Sequence, residues 1–141
     1  MAPETDPVKS ELLAWHERFA ACVRGRDFAG GSALFAPECQ GFGTFVEHAV
    51  GRDCLMWNQW RPVWSATRAF HFLPESFECI VSLDRSLACV LALWESFGTG
   101  PDEVEFRRRG RCTTLLRRAK EHPAGWIALH THYSKTPMGE I

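Results

Sequence analysis

The last hydrophobic stretch of the chain, residues 126–134, alternates between apolar and polar positions in the way that a β-strand does. A period of two predicts that one face carries Trp126, Ala128, His130, His132 and Ser134. The opposite face would carry Ile127, Leu129, Thr131 and Tyr133. Two imidazoles on a half-apolar strand favour one of two interpretations. Either they line a cavity that holds a ligand, or they are buried and hydrogen-bonded as part of the structure.

The first third of the chain has the spacing of amphipathic helices. Apolar residues recur every three or four positions over 7–24, where Asp6 can cap the helix and Gly25 can end it. Asp27 offers a second cap, which predicts a short helix over 28–35 that stops at Pro37.

A third helix is predicted over residues 52–60, after a short strand over 41–48. Trp57, Trp60 and Trp64 have the spacing of one helix face, and Pro62 predicts a break or kink near Arg61. The rest of the chain is strand-like, with strands predicted over 69–72, 76–83, 87–97, 104–118 and 126–134.

Helices followed by meandering strands predict an α+β domain with its helices on one face of a curved sheet. We expect one domain over residues 1–141, in which residues 1–6 and 135–141 form loose tails.

Composition narrows the possible partners and location. The net charge of −1 gives no global attraction to nucleic acid or to an anionic membrane, and no segment approaches the ~20 apolar residues of a membrane span. The six scattered cysteines include no Cys-x-x-Cys pair, and the amino terminus has no apolar signal region. We therefore expect a cytoplasmic protein.

The chain has no dinucleotide fingerprint, phosphate-binding loop or nucleophile elbow, so we expect no cofactor.

His130 and His132 are the first candidates for chemistry, because residues two apart project to the same side of a strand. If the preceding loop closes as a hairpin, Arg111 lies near His132 and Thr113 near His130. A cation there keeps the imidazoles neutral, so His130, His132 and Arg111 could form a general base or an anion-binding corner. The alternative is a buried hydrogen-bond network that fixes the strand pairing.

His130 and His132 could provide two metal ligands, but no spacing singles out a third, and we expect no metal.

Aromatic residues suggest the wall of a binding pocket. Six tryptophans and ten phenylalanines in 141 residues suit a concave site for a flat apolar ligand. The candidates for this wall, which would also contribute to the core, are Trp15, Trp57, Trp60, Trp64 and Trp94, with Thr113 beside the histidines.

Arginines crowd the strand predicted over 104–118. Alternation sends Arg107, Arg109, Arg111 and Arg117 to one face and Arg108 and Arg118 to the other. The neighbouring acidic run over 102–105 largely neutralises them, which argues against nucleic-acid binding. These arginines could form solvated cross-strand ion pairs, or one or two could reach into the cavity and hold a carboxylate.

Several segments carry a resemblance to a known family. They are Gly43-Thr44, Val50-Gly51-Arg52-Asp53, Gln59-Trp60-Arg61-Pro62-Val63-Trp64, Gly110-Arg111-Cys112-Thr113 and residues 126–137. In this order the chain resembles the nuclear transport factor 2-like superfamily. Within it, the chain is similar to the SnoaL-like branch and to the association domain of calcium/calmodulin-dependent protein kinase II. The resemblance implies a cone of three N-terminal helices on a strongly curved antiparallel sheet, with a pocket at the wide end. It also implies a homodimer through the outer face of the sheet.

The function stays open between two hypotheses, because the superfamily includes isomerases, cyclases, dehydratases, hydrolases and non-catalytic modules. The first is the binding of a small, partly apolar molecule, with or without cofactor-free acid/base catalysis. The second is a non-catalytic homodimerisation or ligand-binding module. An open cavity above roughly 300 Å³ that the histidines face would favour the first. A cavity filled by Trp57, Trp60 and phenylalanine side chains would favour the second.

Overall fold

Helices pack against one face of an open, mixed sheet in the computed structural model, which describes residues 6–137. The helical segments are α1 (Pro7–Gly25), α2 (Phe28–Ser32), α3 (Arg52–Leu55), a π-helical turn (Met56–Trp60) and α4 (Arg61–Ser65). The strands are β1 (Phe35–Phe42), β2 (Ala49–Val50), β3 (Arg68–Phe72), β4 (Glu78–Val81), β5 (Leu87–Thr99), β6 (Glu105–Arg118) and β7 (Trp126–Lys135). The α+β prediction is confirmed.

The strands lie in the order β2-β1-β7-β6-β5-β3, and β4 also pairs with β5. Every pair is antiparallel except β1 with β7, which is parallel, so the sheet is mixed and the prediction of an antiparallel sheet is only partly correct. The pairings β1–β7, β3–β5 and β6–β7 each contain a register shift. Such irregularities bend strands locally.

Helix α1 follows the sequence prediction closely. The Asp6 carboxylate accepts a hydrogen bond from the Val8 amide at 2.9 Å, and Pro7 occupies the first turn. The helix ends at Gly25, and Arg26 closes it in the left-handed conformation with φ 53°. Its buried face packs on the sheet, where the Trp15 indole Nε1 donates to the Trp126 carbonyl at 3.1 Å.

Helix α2 is shorter than the predicted helix over 28–35. It ends at Ser32, and Phe35 already opens strand β1. Two consecutive glycines in α2 are weak helix formers, and Pro37 is tolerated in β1 because the β1–β7 register shifts just there. The predicted strand over 41–48 is replaced by the end of β1 and a loop. Two strands thus separate α2 from α3, so the description as three N-terminal helices is only partly correct.

The predicted break at Pro62 takes the form of the π-helical turn, which immediately precedes α4. A π turn holds more residues than an α turn, so it changes the direction of the side chains before it. Trp60 and Trp64 remain buried, with ring centroids 4.8 Å apart. Trp57 is 58% exposed, and the Arg61 guanidinium lies 4.1 Å from its ring centre. The prediction that Trp57 shares their face is therefore wrong.

The predicted tails are partly ordered elements. Asp6 caps α1, Lys135 ends β7, and the Thr136 amide donates to the Arg109 carbonyl at 3.0 Å. Residues 1–5 and 138–141 lie outside the described residues. Within the described part of the chain, no helix has the length and hydrophobicity needed to cross a bilayer.

Candidate functional site

Strand β7 contains an extra residue at Leu129. Leu116 of β6 pairs with Ala128, whereas the preceding Leu115 pairs with His130. Leu129 therefore has no partner of its own on β6, which is the arrangement of a β-bulge. One inserted residue moves every later side chain of a strand to the other face.

The bulge decides which side chains of β7 face the helices. Ala128 is buried before the bulge, as predicted, but after it Thr131 is buried and His132 is exposed. Thr131 and Tyr133 line the inner face, and His130 and His132 turn to the outer face. The prediction that the two histidines face the inner pocket is wrong for this reason.

Arg111 lies on the outer face together with the histidines. It pairs with Ser134, and its Nε donates to the Ser134 hydroxyl at 3.0 Å. Thr113 pairs with His132 and not with His130, so the predicted register between the two strands is displaced by two residues. The prediction that Arg111 and Thr113 share a face with the two histidines is correct. His130 Nδ1 donates to the Gln40 carbonyl at 2.9 Å, which ties β7 to β1.

Those outer-face residues border a shallow groove of about 350 Å³. Its lining is Ser76, Leu91, Ala92, Leu93, Arg111, Cys112, Thr113, His132 and Ser134. The groove is separated from the helices by the sheet itself.

The inner face holds a second, partly open cavity between the sheet, α1 and the segment that runs from α3 to α4. Aromatic residues form much of its wall: Phe19, Phe42, Trp60, Trp64, Phe70 and Trp94. The polar part of the lining is Thr44, Gln59, Thr67, Ser96, Arg108, Thr131, Tyr133 and Lys135. The cavity volume is about 60 Å³. This is well below the roughly 300 Å³ above which an open cavity facing the histidines would favour the first hypothesis, so by this criterion the volume favours the non-catalytic module.

The predicted tryptophans divide into three groups. Trp60, Trp64 and Trp94 line the inner cavity. Trp15 is buried behind it, where its ring stacks on Phe19 at 5.9 Å. Trp57 lies at the surface, outside the cavity.

Gln59 fixes the loop at the mouth of the cavity. Its Oε1 accepts from the Phe45 amide at 2.6 Å, and its Nε2 donates to the Thr44 hydroxyl at 2.9 Å. A Cβ at Gly43 would lie 2.5 Å from Gln59 Oε1, so the loop can approach only because residue 43 is glycine. Gly43, Thr44 and Gln59 lie in the segments that carry the family resemblance, but the sequence alone assigned no role to Gln59.

A short row of buried polar groups runs from β7 to α1. Tyr133 pairs in register with Cys112, whose thiol lies 3.4 Å from the Thr114 hydroxyl. That hydroxyl donates to His16 Nε2 at 3.1 Å, because His16 Nδ1 already donates to the Leu12 carbonyl at 2.8 Å.

The groups of this row are uncharged at neutral pH. Burial lowers the pKa of His16 to about 4 and raises the pKa of Cys112 to about 11. Burial, together with the neighbouring Cys112 thiol, also raises the pKa of Tyr133 well above its ordinary value. These groups therefore specify packing and do not exchange protons with a ligand near pH 7.

Arg108 lines the cavity from β6, on the face opposite Arg111, so the predicted alternation is correct but the prediction that Arg111 enters the inner pocket is wrong. Its Nη2 donates to the Ala66 carbonyl at 3.0 Å, while its Nε is buried without a hydrogen-bond partner. Burial lowers the pKa of this guanidinium from its usual range. Within residues 6–137, no group of three or more His, Cys, Asp or Glu side chains is placed to hold a metal ion.

Comparison with known proteins identifies the family. A model of the SnoaL-like domain matches residues 12–139. No curated protein matches the chain in sequence.

Solved structures share the fold. A nuclear transport factor 2-like superfamily protein from Salmonella enterica is 18% identical, with a TM-score of 0.76 over 95% of this chain and 94% of its own. A protein named for the calcium/calmodulin-dependent protein kinase II association domain, from Xanthomonas campestris, is 16% identical, with a TM-score of 0.77 over 98% and 94%. A ketosteroid isomerase-like protein from Erwinia carotovora is 18% identical, with a TM-score of 0.73 over 94% and 100%. Identities this low establish the architecture and not the activity.

Proposed function

We propose that this chain, which belongs to the SnoaL-like domain family, binds a small, flat, partly apolar molecule in the cavity on the inner face of its sheet. The observation that carries the proposal is the composition of this cavity, in which stacked aromatic rings face a limited set of polar groups. Such a combination is typical of small-molecule sites, where apolar walls supply binding energy and a few polar groups fix the orientation.

The size of the cavity restricts the ligand. The volume of about 60 Å³ is small, so even a molecule of one ring requires the lining side chains to move apart, and a fused polycyclic molecule does not fit. The aromatic residues of the wall favour a planar ligand.

Catalysis has less support than binding. Among the lining residues in the described part of the chain, none is a carboxylate or an imidazole. Tyr133 holds its proton because burial raises its pKa, so it cannot act as a base near neutral pH. The similarity to a ketosteroid isomerase-like protein concerns the fold, and we propose a binding site without acid/base chemistry.

Titration with benzamide and benzoate, followed by isothermal calorimetry and tryptophan fluorescence, tests the proposal. We expect binding to the wild type and at least a ~10-fold loss of affinity in Thr131→Leu, whose larger side chain enters the cavity. The matched control is Thr113→Leu, which makes the same change on the outer face and should bind as the wild type does.

His132→Ala should also keep wild-type affinity, because its ring lies on the outer face. Circular dichroism of each variant excludes misfolding, and Val63→Phe offers a second way to fill the cavity from α4. Binding that is lost in Thr113→Leu and kept in Thr131→Leu would contradict the proposal. Absence of binding by both probes to the wild type would also contradict it.

A second candidate function is homodimerisation through the outer sheet face. Leu87, Leu91 and Leu93 of β5 are each 41% exposed there, and Ile80 of the neighbouring β4 is 65% exposed. Contiguous exposed apolar side chains on one face favour a protein interface. Binding and dimerisation use opposite faces of the sheet, so the two functions are compatible.

We also infer one domain and a reducing compartment such as the cytoplasm. A single hydrophobic cluster joins α1 to strands at both ends of the sheet order, and all six cysteines carry free thiols.

A further inference from the structure

One polar atom of the cavity is left without a partner. Among the side chains that the structure describes, the Nε of Arg108 is the one buried nitrogen or oxygen that has no hydrogen bond. Its guanidinium makes a single hydrogen bond, from Nη2 to the Ala66 carbonyl. A buried donor that lost its water and gained no acceptor is costly, so such an atom calls for an explanation.

The positive charge of Arg108 is also uncompensated. Its neighbours Arg107 and Arg109 reach Glu95 on the outer face at 3.8 and 3.5 Å. The other inward-facing arginine of β6, Arg118, pairs with Glu11 at 2.7 Å. Within residues 6–137, no carboxylate lies within salt-bridge distance of Arg108.

The surroundings of Arg108 add positive charge and no negative charge. Lys135 lines the same cavity, and it pairs in register with Gly110, two residues from Arg108. The described lining contains no acidic side chain. The polar end of the cavity is therefore cationic, and Arg108, which is partly buried there, would gain a counter-charge from an anionic ligand.

The guanidinium is held in place by the shape of its neighbours. A Cβ at Gly98 would lie 2.5 Å from Nη2 and 3.0 Å from Nε, so the guanidinium occupies the space that glycine leaves. The Phe106 ring lies 5.4 Å from the guanidinium carbon, and Ala66 holds Nη2. These contacts limit the positions of the guanidinium, but they also cover Nε, so a ligand reaches that atom only when the side chain shifts.

We infer that the ligand of this cavity carries a carboxylate, and that the Arg108 guanidinium binds it, with Nε–H becoming accessible when the side chain shifts. The inference rests on the proposed function and specifies the chemical class of the ligand as a small aromatic carboxylic acid. A carboxylate is planar and matches the edge of a guanidinium, and one ring with one carboxylate respects the small volume of the cavity. Lys135 adds long-range attraction at the same end.

Benzoate and benzamide test this inference because they share their shape and differ in charge. We expect the wild type to bind benzoate at least ~10-fold more tightly than benzamide. In Arg108→Gln the preference should disappear, with benzamide affinity changed by less than ~3-fold. Arg107→Gln, a matched change on the outer face, should keep the preference. Calorimetry at constant ionic strength measures all of these affinities.

Arg108→Lys separates the charge from the Nε–H donor, and it should retain part of the preference. Thermal melts of each variant confirm that it is folded, and Arg108→Lys serves in place of Arg108→Gln if the latter does not fold. Equal affinities of the wild type for the two probes would overturn the carboxylate inference and leave the proposed function standing. Full retention of the preference in both Arg108 variants would also overturn the carboxylate inference alone. If neither probe binds the wild type, both the carboxylate inference and the proposed function are overturned.

Discussion

His16 and His132 are the same kind of residue in opposite environments. His16 is 1% exposed, and it lies between the Leu12 carbonyl and the Thr114 hydroxyl with the edges of Phe72 and Phe77 against its ring. His132 is exposed on the outer sheet face. A buried, hydrogen-bonded histidine was one interpretation of the sequence, but it was applied to His130 and His132. His16 was not singled out, because its position in an amphipathic helix is an ordinary one.

The burial of His16 makes stability depend on pH. Its pKa is about 4 in the folded chain and 6.5 in the unfolded chain. Between these values the unfolded chain binds a proton that the folded chain refuses, so stability decreases as the pH falls from 6.5 to 4. The loss amounts to roughly 3 kcal/mol and is absent above pH 6.5. Urea unfolding at a series of pH values measures it.

His16→Gln should remove most of this dependence, while His71→Gln, which changes a histidine of β3, should leave it unchanged. Hydrogen bonds lower the pKa values of Asp6 and Asp84 from 3.8, so in the folded chain these two carboxyl groups titrate below the range of pH 4 to 6.5 in which His16 acts. A pH profile that is the same in His16→Gln and the wild type would contradict the role given to His16.

The cavity residues differ in how far the sequence could identify them. Trp60, Trp64 and Trp94 could be placed in the wall from helical or strand periodicity and aromatic character alone. Alternation placed Arg108 on the face opposite Arg111, but the sequence prediction gave the pocket to Arg111. The missing partner of Arg108 also depends on where distant acidic residues lie. Gln59 and Tyr133 carry no local signal, because their roles depend on a loop contact and on the strand register.

The bulge at Leu129 determines which face of β7 meets the helices. Every strand from β3 to β7 was predicted to within about two residues at each end, since propensity and alternation act locally. The bulge was not, because nothing in the sequence marks the extra residue, and the alternation was extended unbroken from Trp126 to Ser134. Helix α2 was predicted too long because its two glycines weaken the helix after the Asp27 cap, whereas the break predicted near Arg61 takes the form of the π-helical turn.

Deletion of Leu129 should be tolerated, because it removes the unpaired residue and leaves Ala128 inward, His130 outward and Thr131 inward. We expect a cooperative unfolding transition that is weakened by roughly 2 kcal/mol, mainly from the lost leucine side chain. Urea unfolding followed by circular dichroism measures it.

Deletion of Thr113 is the control, because β6 pairs without irregularity with β5 at this point. Removing it turns part of β6 to the wrong face, and we expect no cooperative transition. If the Leu129 deletion is unfolded, or if both deletions are equally destabilising, Leu129 is not the extra residue.

The whole molecule presents a sheet with two different faces. The inner face is covered by α1 and by the segment from α3 to α4 and borders the cavity, while the outer face exposes leucines, histidines and Arg111. The family resemblance led to the α+β architecture, and the pocket that it implies stays a proposal. The unbroken alternation predicted for β7 placed His130 and His132 in that pocket, which the bulge prevents.

Dimerisation through the outer face predicts a specific effect of charge. We expect a dimer for the wild type and a monomer for Leu93→Asp, because a carboxylate would be buried without a partner between the two leucine-bearing faces. Leu83→Asp, at a fully exposed position in the turn after β4, should remain dimeric. Sedimentation velocity measures both, and a monomeric wild type would contradict this assignment.

The face of the sheet that meets the ligand can be observed directly by NMR. Thr131 lines the inner cavity, and Thr113 borders the outer groove on the neighbouring strand. In a methyl spectrum recorded during titration with benzoate, we predict that the Thr131 methyl signal shifts in a saturable way while the Thr113 signal does not move. A saturable shift of Thr113 with an unchanged Thr131 would place the site on the outer face and contradict the account.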